Sequence, residues 1–285
     1  MNKMEKRLAA VSILLTFIIG LSGLLSIDFS KSYYFENLYG DSVRIYGHGI
    51  YAYDSYLKAA ILIGSDMNSL FVGLPLFVYC FYHYSKRGDD SSALKLISLY
   101  ATTTYYAASL CLGVTYNKFF LLYIALFTSN LFALFYHIRK LSLKKCLDMT
   151  RGVKLFLSIS GLALIIAWVP DIIASFVSGA SLELIEVYTT EVTYVLDMGI
   201  IGPLCFLAYY LSIKRDPLST IILAILLKIC ILVGIMMFFQ TLMIYWSGLE
   251  VPVEVMVTKT LSFVFLSGFA GYFNHKLYRS LESDN

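Results

Sequence analysis

Eight stretches of this chain run with few or no charges for roughly the ~20 residues that cross a ~30 Å hydrocarbon core. They fall at Leu8–Ile27, Ile61–Tyr84, Leu94–Val114, Phe119–Ile138, Leu155–Val177, Val192–Ile213, Ser219–Trp246 and Val255–Leu277, and leave little of the 285 residues for anything else. Lipid cannot satisfy exposed backbone groups, so such stretches are expected to be helices. Charged residues make up only 14% of the chain, against about 25% in a soluble domain. The expected fold is therefore all-α: a polytopic integral membrane protein of eight transmembrane helices.

Charge orients the spans. With the N-terminus inside, the cytoplasmic segments collect Lys3, Lys6, Arg7, Lys86, Arg87, Lys95, Arg139, Lys140, Lys144, Lys145, Arg151, Lys154, Lys214, Arg215, Lys276 and Arg279, 16 of the 22 basic residues. The opposite loops hold Glu183, Glu186, Glu191, Glu250 and Glu254. The positive-inside rule then places both termini in the cytoplasm and the chain in the inner (plasma) membrane. The net charge of +3 belongs to this anchoring and implies no nucleic-acid partner. The first apolar run lacks a small-x-small cleavage site and is read as an uncleaved helix.

Two stretches echo each other. Asp66-Met67, Gly73-Leu74-Pro75-Leu76 and Lys86-Arg87 recur as Asp197-Met198, Gly202-Pro203-Leu204 and Lys214-Arg215. Each sets an acid, a proline kink and a basic pair along one span. Phe127/Phe265, Ser129/Ser267, Phe135/Phe273 and His137/His275 also match at a constant offset. These pairs predict two parallel four-helix repeats, 1–150 and 151–285, the first carrying an extracytoplasmic tyrosine-rich loop over 28–60. Acid and proline are spaced differently in the two copies (66 to 75 against 197 to 203), a rotation of about 60°.

Within that loop, Val43 to Tyr53 alternates polar and apolar residues around Gly47-His48-Gly49, which predicts a hairpin turning there. The hairpin is read as a lid over a cavity mouth or as an interfacial tyrosine belt. The spans also hold more polar chemistry than anchoring requires. Asp171 follows the helix-breaking Pro170, Asp197 lies about two turns into its span, and Gln240 sits at similar depth. Asp66 and Lys259 enter near outer ends, and Lys228 lies close to the bilayer middle. A charge facing lipid is costly, so these residues are expected to line an outward-facing polar pocket. The competing expectation is structural, with Asp197 or Asp171 paired to Lys228 or Lys259.

Five cysteines include no Cys-x-x-Cys pair, so neither a zinc cluster nor a thiol oxidoreductase is indicated. His83, His137 and His275 share one depth beside tyrosines and are read as interfacial rather than as haem or metal ligands. No cofactor motif occurs.

The strings Tyr46-Gly47-His48-Gly49-Ile50-Tyr51-Ala52-Tyr53-Asp54-Ser55, Tyr116 to Tyr123 and Tyr188-Thr189-Thr190 through Asp197-Met198-Gly199-Ile200-Ile201 resemble a family of uncharacterised polytopic bacterial membrane proteins. The resemblance spans nearly the whole chain and implies a shared eight-helix body, with no chemistry attached. The leading functional expectation is binding or transport of a small polar or cationic solute at Asp66, Asp171, Asp197, Gln240, Lys228 and Lys259. The alternatives are an intramembrane enzyme acting on a lipid or isoprenoid at the outer leaflet, with Asp54 or Asp66 as acid or base, and a non-catalytic sensor or assembly factor. Lipid and a small ligand are the expected partners; the sequence sets no oligomeric state.

Overall fold

The computed structural model describes residues 2–141, 143, 146–182, 184–250 and 253–283, with side chains of the last helix described over 260–282. The described residues form eight long helical elements: α1 (Lys3–Leu25), α2 (Tyr56–Arg87), α3 (Asp90–Gly113), α4 (Phe120–Lys140), α5 (Arg151–Ser178), α6 (Val192–Ile213), α7 (Leu218–Trp246) and α8 (Val253–Ser283). Among the described residues, α1, α2, α4, α5, α6 and α7 are long and apolar enough to cross a membrane, so the chain is a multi-pass membrane protein.

The helix α3 falls outside that set for a physical reason. It carries Thr102, Thr103, Thr104, Tyr105 and Tyr106 in mid-length, and protein rather than lipid surrounds it. Leu94, Leu96, Ile97, Tyr100 and Leu110 on it are all but completely buried. With α7 it forms the centre of the bundle. Consecutive helices pack in two series, α1 to α4 and α5 to α8, and α7 crosses to α2 while α3 crosses to α6.

Two helices widen into π turns at matching places. In α2 the π turn is Ser69–Gly73, with the Leu74 N–H reaching back to the Ser69 carbonyl. In α6 it is Asp197–Ile201, with the Gly202 N–H reaching the Asp197 carbonyl. Pro75 and Pro203 follow directly. Proline has no N–H to offer the preceding turn, and one extra residue in the turn relieves its ring from the carbonyl behind it. In this register Asp197 matches Ser69, and Asp66 matches Tyr194; the two acids do not occupy equivalent places.

The chain turns back at Gly47-His48-Gly49 as the sequence suggested, with an antiparallel bridge between Ile45 and Ser55 and the Tyr46 and Gly47 N–H groups donating to the Asp54 (2.9 Å) and Ala52 (3.0 Å) carbonyls, and another hairpin precedes it. Strand β1 (Tyr33–Glu36) pairs antiparallel with β2 (Ser42–Ile45), Tyr33 opposite Ile45. The turn lies between Asn37 and Asp41, because the Asn37 side chain accepts from the backbone N–H groups of Tyr39 and Asp41, both at 2.9 Å. Such Asx bonds close a turn without glycine. At the second turn Gly47 (φ +80°) and Gly49 (φ +64°) lead into a 3₁₀ turn over Gly49–Tyr51. The loop's tyrosines divide: Tyr33, Tyr34, Tyr39 and Tyr53 are exposed, whereas Tyr46, Tyr51 and Tyr56 are buried. Tyr46 donates to the Ser26 carbonyl (2.6 Å) and Tyr56 to that of Phe29 (2.8 Å), fixing the hairpin to the end of α1.

Candidate functional site

A cavity of about 330 Å³ lies between α2, α3, α5, α6, α7 and α8. Most of its wall is apolar, built from Phe156, Leu226, Ile229, Val233, Phe263 and Leu266 among others. Polar groups gather toward the hairpin end: Lys58, Glu186 and Glu191 at the mouth, then Ser65, Ser109, Tyr105, Asp197 and Gln240. A largely apolar chamber with a few converging polar groups is the usual form of a small-molecule site.

Asp197 is the charged group deepest on this wall. The Tyr105 hydroxyl donates to its Oδ1 (3.0 Å) and the Trp168 indole N–H to its Oδ2 (3.2 Å). Trp168 stacks on Tyr194 at 4.6 Å between ring centroids. The sequence sets this up: Pro170 interrupts α5 just after Trp168, and the π turn begins at Asp197 itself. No cation pairs with Asp197 among the described residues. Its carboxylate is oriented by neutral donors and remains open to a positive partner.

Gln240 donates from Nε2 to Ser65 Oγ (2.8 Å). That contact depends on Gly64, where a Cβ would stand 2.5 Å from Gln240 Cα; α2 and α7 approach backbone to backbone here. At the mouth, Lys58 pairs with Glu191 (3.3 Å) and lies over the Tyr188 ring. Ser55 Oγ donates to Glu186. Burial raises the Glu186 carboxyl above its ordinary range. Counting Lys58 against Glu186, Glu191 and Asp197, the route inward is negative.

Asp54 sits beside this mouth but off the cavity wall. It is fully buried, and its Oδ1 accepts from the Thr115 N–H and the Tyr188 hydroxyl, each at 2.9 Å. Its Oδ2 has no hydrogen-bond partner among the described residues. Burial outweighs these donors and pushes the carboxyl up to about 7. Three loops meet on this one side chain: the segment before α2, the α3–α4 connection and the α5–α6 connection.

The other expected site residues are dispersed. Asp66 is sealed against α1, its Oδ2 accepting from the Tyr51 hydroxyl (2.6 Å) and its Oδ1 from Tyr106. Gly23 leaves the room its carboxylate fills. Asp171 is exposed and accepts from Tyr194 (2.9 Å). Lys228 lies about 18 Å along α7 from Gln240, with Cys80 and Lys95 for neighbours, and forms no ion pair with Asp197 or Asp171. The Lys259 side chain lies outside the described residues. His137 is buried and stacked on Tyr100, His83 is stacked on Tyr79, and no group of three or more His, Cys, Asp or Glu poised for a metal occurs among the described residues.

Sequence reasoning missed Tyr105, Trp168, Lys58, Glu186 and Glu191 as site residues. The dipeptide Tyr105-Tyr106 was the available signal. Adjacent helical residues point about 100° apart, and these two hydroxyls serve different acids, Asp197 and Asp66. Comparison with protein-family models, curated proteins and solved structures returned no match.

Proposed function

We propose that this protein binds a small amphiphilic organic cation and carries it through the membrane, taking it from the side on which the hairpin lies. The observation behind this reading is Asp197, a carboxylate without a cationic partner among the described residues, on the wall of an otherwise apolar cavity. A positive head would pair with Asp197 over the Trp168 and Tyr194 rings, which favour cations through their quadrupoles. An apolar body would lie against Phe156, Leu226, Ile229 and Phe263. The acidic mouth raises the local concentration of cations. The basic loops at the other end orient the hairpin end outward. Movement would come from the π turns of α2 and α6, which give each helix a place to bend. Consecutive helices pack within α1–α4 and within α5–α8, and on the two-repeat reading the cavity would lie at their junction.

A binding titration tests this. The purified protein in lipid nanodiscs should bind tetraphenylphosphonium saturably and bind neutral tetraphenylmethane much more weakly. Equal binding of both would remove the carboxylate from the account. The orientation is checked in intact cells: a cysteine placed at Ser181 should react with an impermeant thiol reagent, and one placed at Asp216 should not.

A further inference from the structure

The α5–α6 connection roofs the mouth of the cavity, with Leu184, Glu186 and Glu191 standing in the cavity wall. It folds into tight turns: the Ile185 N–H donates to the Leu182 carbonyl (3.0 Å) and the Tyr188 N–H to the Ile185 carbonyl (2.8 Å). Inside the second turn Glu186 has φ +47°, in the left-handed region. A residue with a Cβ enters that region at a cost in free energy. Among the described non-glycine residues, Glu186 and Arg215 alone have positive φ.

The groups that hold Glu186 there come from across the mouth. Asn37, at the turn of the β1–β2 hairpin, donates from Nδ2 to the Glu186 carbonyl (2.9 Å). Ser55, the cap of α2, donates from Oγ to the Glu186 carboxylate. Two residues on, the Tyr188 hydroxyl donates to Asp54 (2.9 Å) and accepts from the Ser55 N–H (3.3 Å). Lys58 then pairs with Glu191 (3.3 Å). Within residues 184–191, Ile185 is the one fully buried apolar side chain, so polar contacts do much of the fastening.

We infer that residues 184–191 are a lid over the cavity mouth, latched shut by the hydrogen bonds of Asn37 and Ser55 to Glu186. The strain at Glu186 gives the lid two states. With the latch made, the connection covers the mouth and Glu186 stays left-handed. With the latch broken, Glu186 relaxes to an ordinary φ and the connection lifts away from α2. Both latch partners lie far from the lid in sequence, one on the hairpin and one at the start of α2, so the hairpin serves as the strike plate on which the lid closes. A lid limits access whatever the cavity takes, so its test is separate from that of the organic-cation reading.

The probe is iodoacetamide, a small neutral thiol reagent, on the full chain in nanodiscs. Ser109→Cys places a thiol on the cavity wall, and Leu38→Cys, in a separate protein, places a reference thiol at the hairpin tip, where Leu38 is 94% exposed. Peptide mass spectrometry separates the new thiol from the five native cysteines. Position 109 should react much more slowly than position 38. Added to Ser109→Cys, Glu186→Ala removes the acceptor for Ser55. Asn37→Asp keeps the oxygen that builds the hairpin turn and loses the donor to Glu186. Each should speed labelling at position 109 by roughly 3–10-fold, the change in opening expected for one lost hydrogen bond. Buried Cys80 should label no faster, which excludes general loosening. Glu186→Gln still offers Ser55 an acceptor and should label at the parent's rate. If one variant does not fold, the other decides. Labelling at position 109 as fast as at position 38 in the parent would mean an open mouth and overturn the proposal. So would an unchanged rate in a folded latch variant, or equal acceleration by Glu186→Gln and Glu186→Ala.

Discussion

Asp66 and Asp197 invite comparison, since each precedes a proline in a helix widened by a π turn, yet one is sealed and the other faces a chamber. The difference is three residues of register. Asp66 lies before its π turn and points at α1, where Gly23 admits the carboxylate and two tyrosine hydroxyls saturate it. Asp197 opens its π turn and faces the cavity, held by one tyrosine and one indole. An intramembrane acid is thus not a site by virtue of depth. What decides is whether its neighbours leave it room for a ligand.

The largest effect should separate the two acids by stability. Asp66→Leu strands the Tyr51 and Tyr106 hydroxyls in the interior, and each unsatisfied group costs about 1–3 kcal/mol. Melting in detergent should fall steeply, or the protein should fail to accumulate. Asp197→Asn keeps one acceptor, for the Trp168 indole N–H, while its NH₂ can donate to the Tyr105 hydroxyl oxygen, and should change stability by less than about 1 kcal/mol. A steep loss for both variants would erase the distinction.

Glycines beside the two acids sharpen it next. A Cβ at Gly23 overlaps the Asp66 carboxylate, so Gly23→Ala should cost about 1–3 kcal/mol, the usual range for overpacking. A Cβ at Gly199, in the π turn that Asp197 opens, meets nothing within 4 Å. Gly199→Ala should therefore be neutral within about 0.5 kcal/mol, or slightly stabilising through helix propensity. Paired melts of the two alanine variants measure this.

A smaller effect involves Asp54, outside the membrane spans. Its carboxyl is raised to about 7 in the folded protein, above the value of about 4 of an unfolded carboxyl. The folded state therefore holds the extra proton between these values. Stability is fully present below about pH 4, falls as pH rises toward 7 and levels off above it. The raised Glu186 adds in the same direction, whereas Asp28, lowered to about 2, titrates below this window. Melting temperature should decline between about pH 4 and pH 7, and Asp54→Asn should flatten that slope. An unchanged slope would show that Asp54 is not the group responsible.

Much of this body was legible in the sequence because length and apolarity alone mark a helix for lipid. All eight expected spans coincide with helices, and Pro170 marks the interruption of α5. The start of α2 came earlier than expected, at Tyr56, because Ser55 caps it by accepting from the Lys58 N–H. The turn at Gly47-His48-Gly49 was legible, but the preceding β1–β2 hairpin was missed because Asn37 acts through side-chain bonds that spacing does not reveal. The acid–proline echo led to the π turns but equated two acids that face different ways. Glu186 and Glu191 looked like ordinary loop acids; only the folding of the α5–α6 connection over α2 brings them to the mouth.

The central claim is that Asp197 receives a positive charge, and tetraphenylphosphonium titration of Asp197→Asn beside the parent tests it most directly. The account predicts affinity weakened by roughly 10–100-fold, as for loss of one partner from a desolvated charge pair, with a melt close to the parent's. Unchanged affinity in a folded Asp197→Asn protein would contradict it.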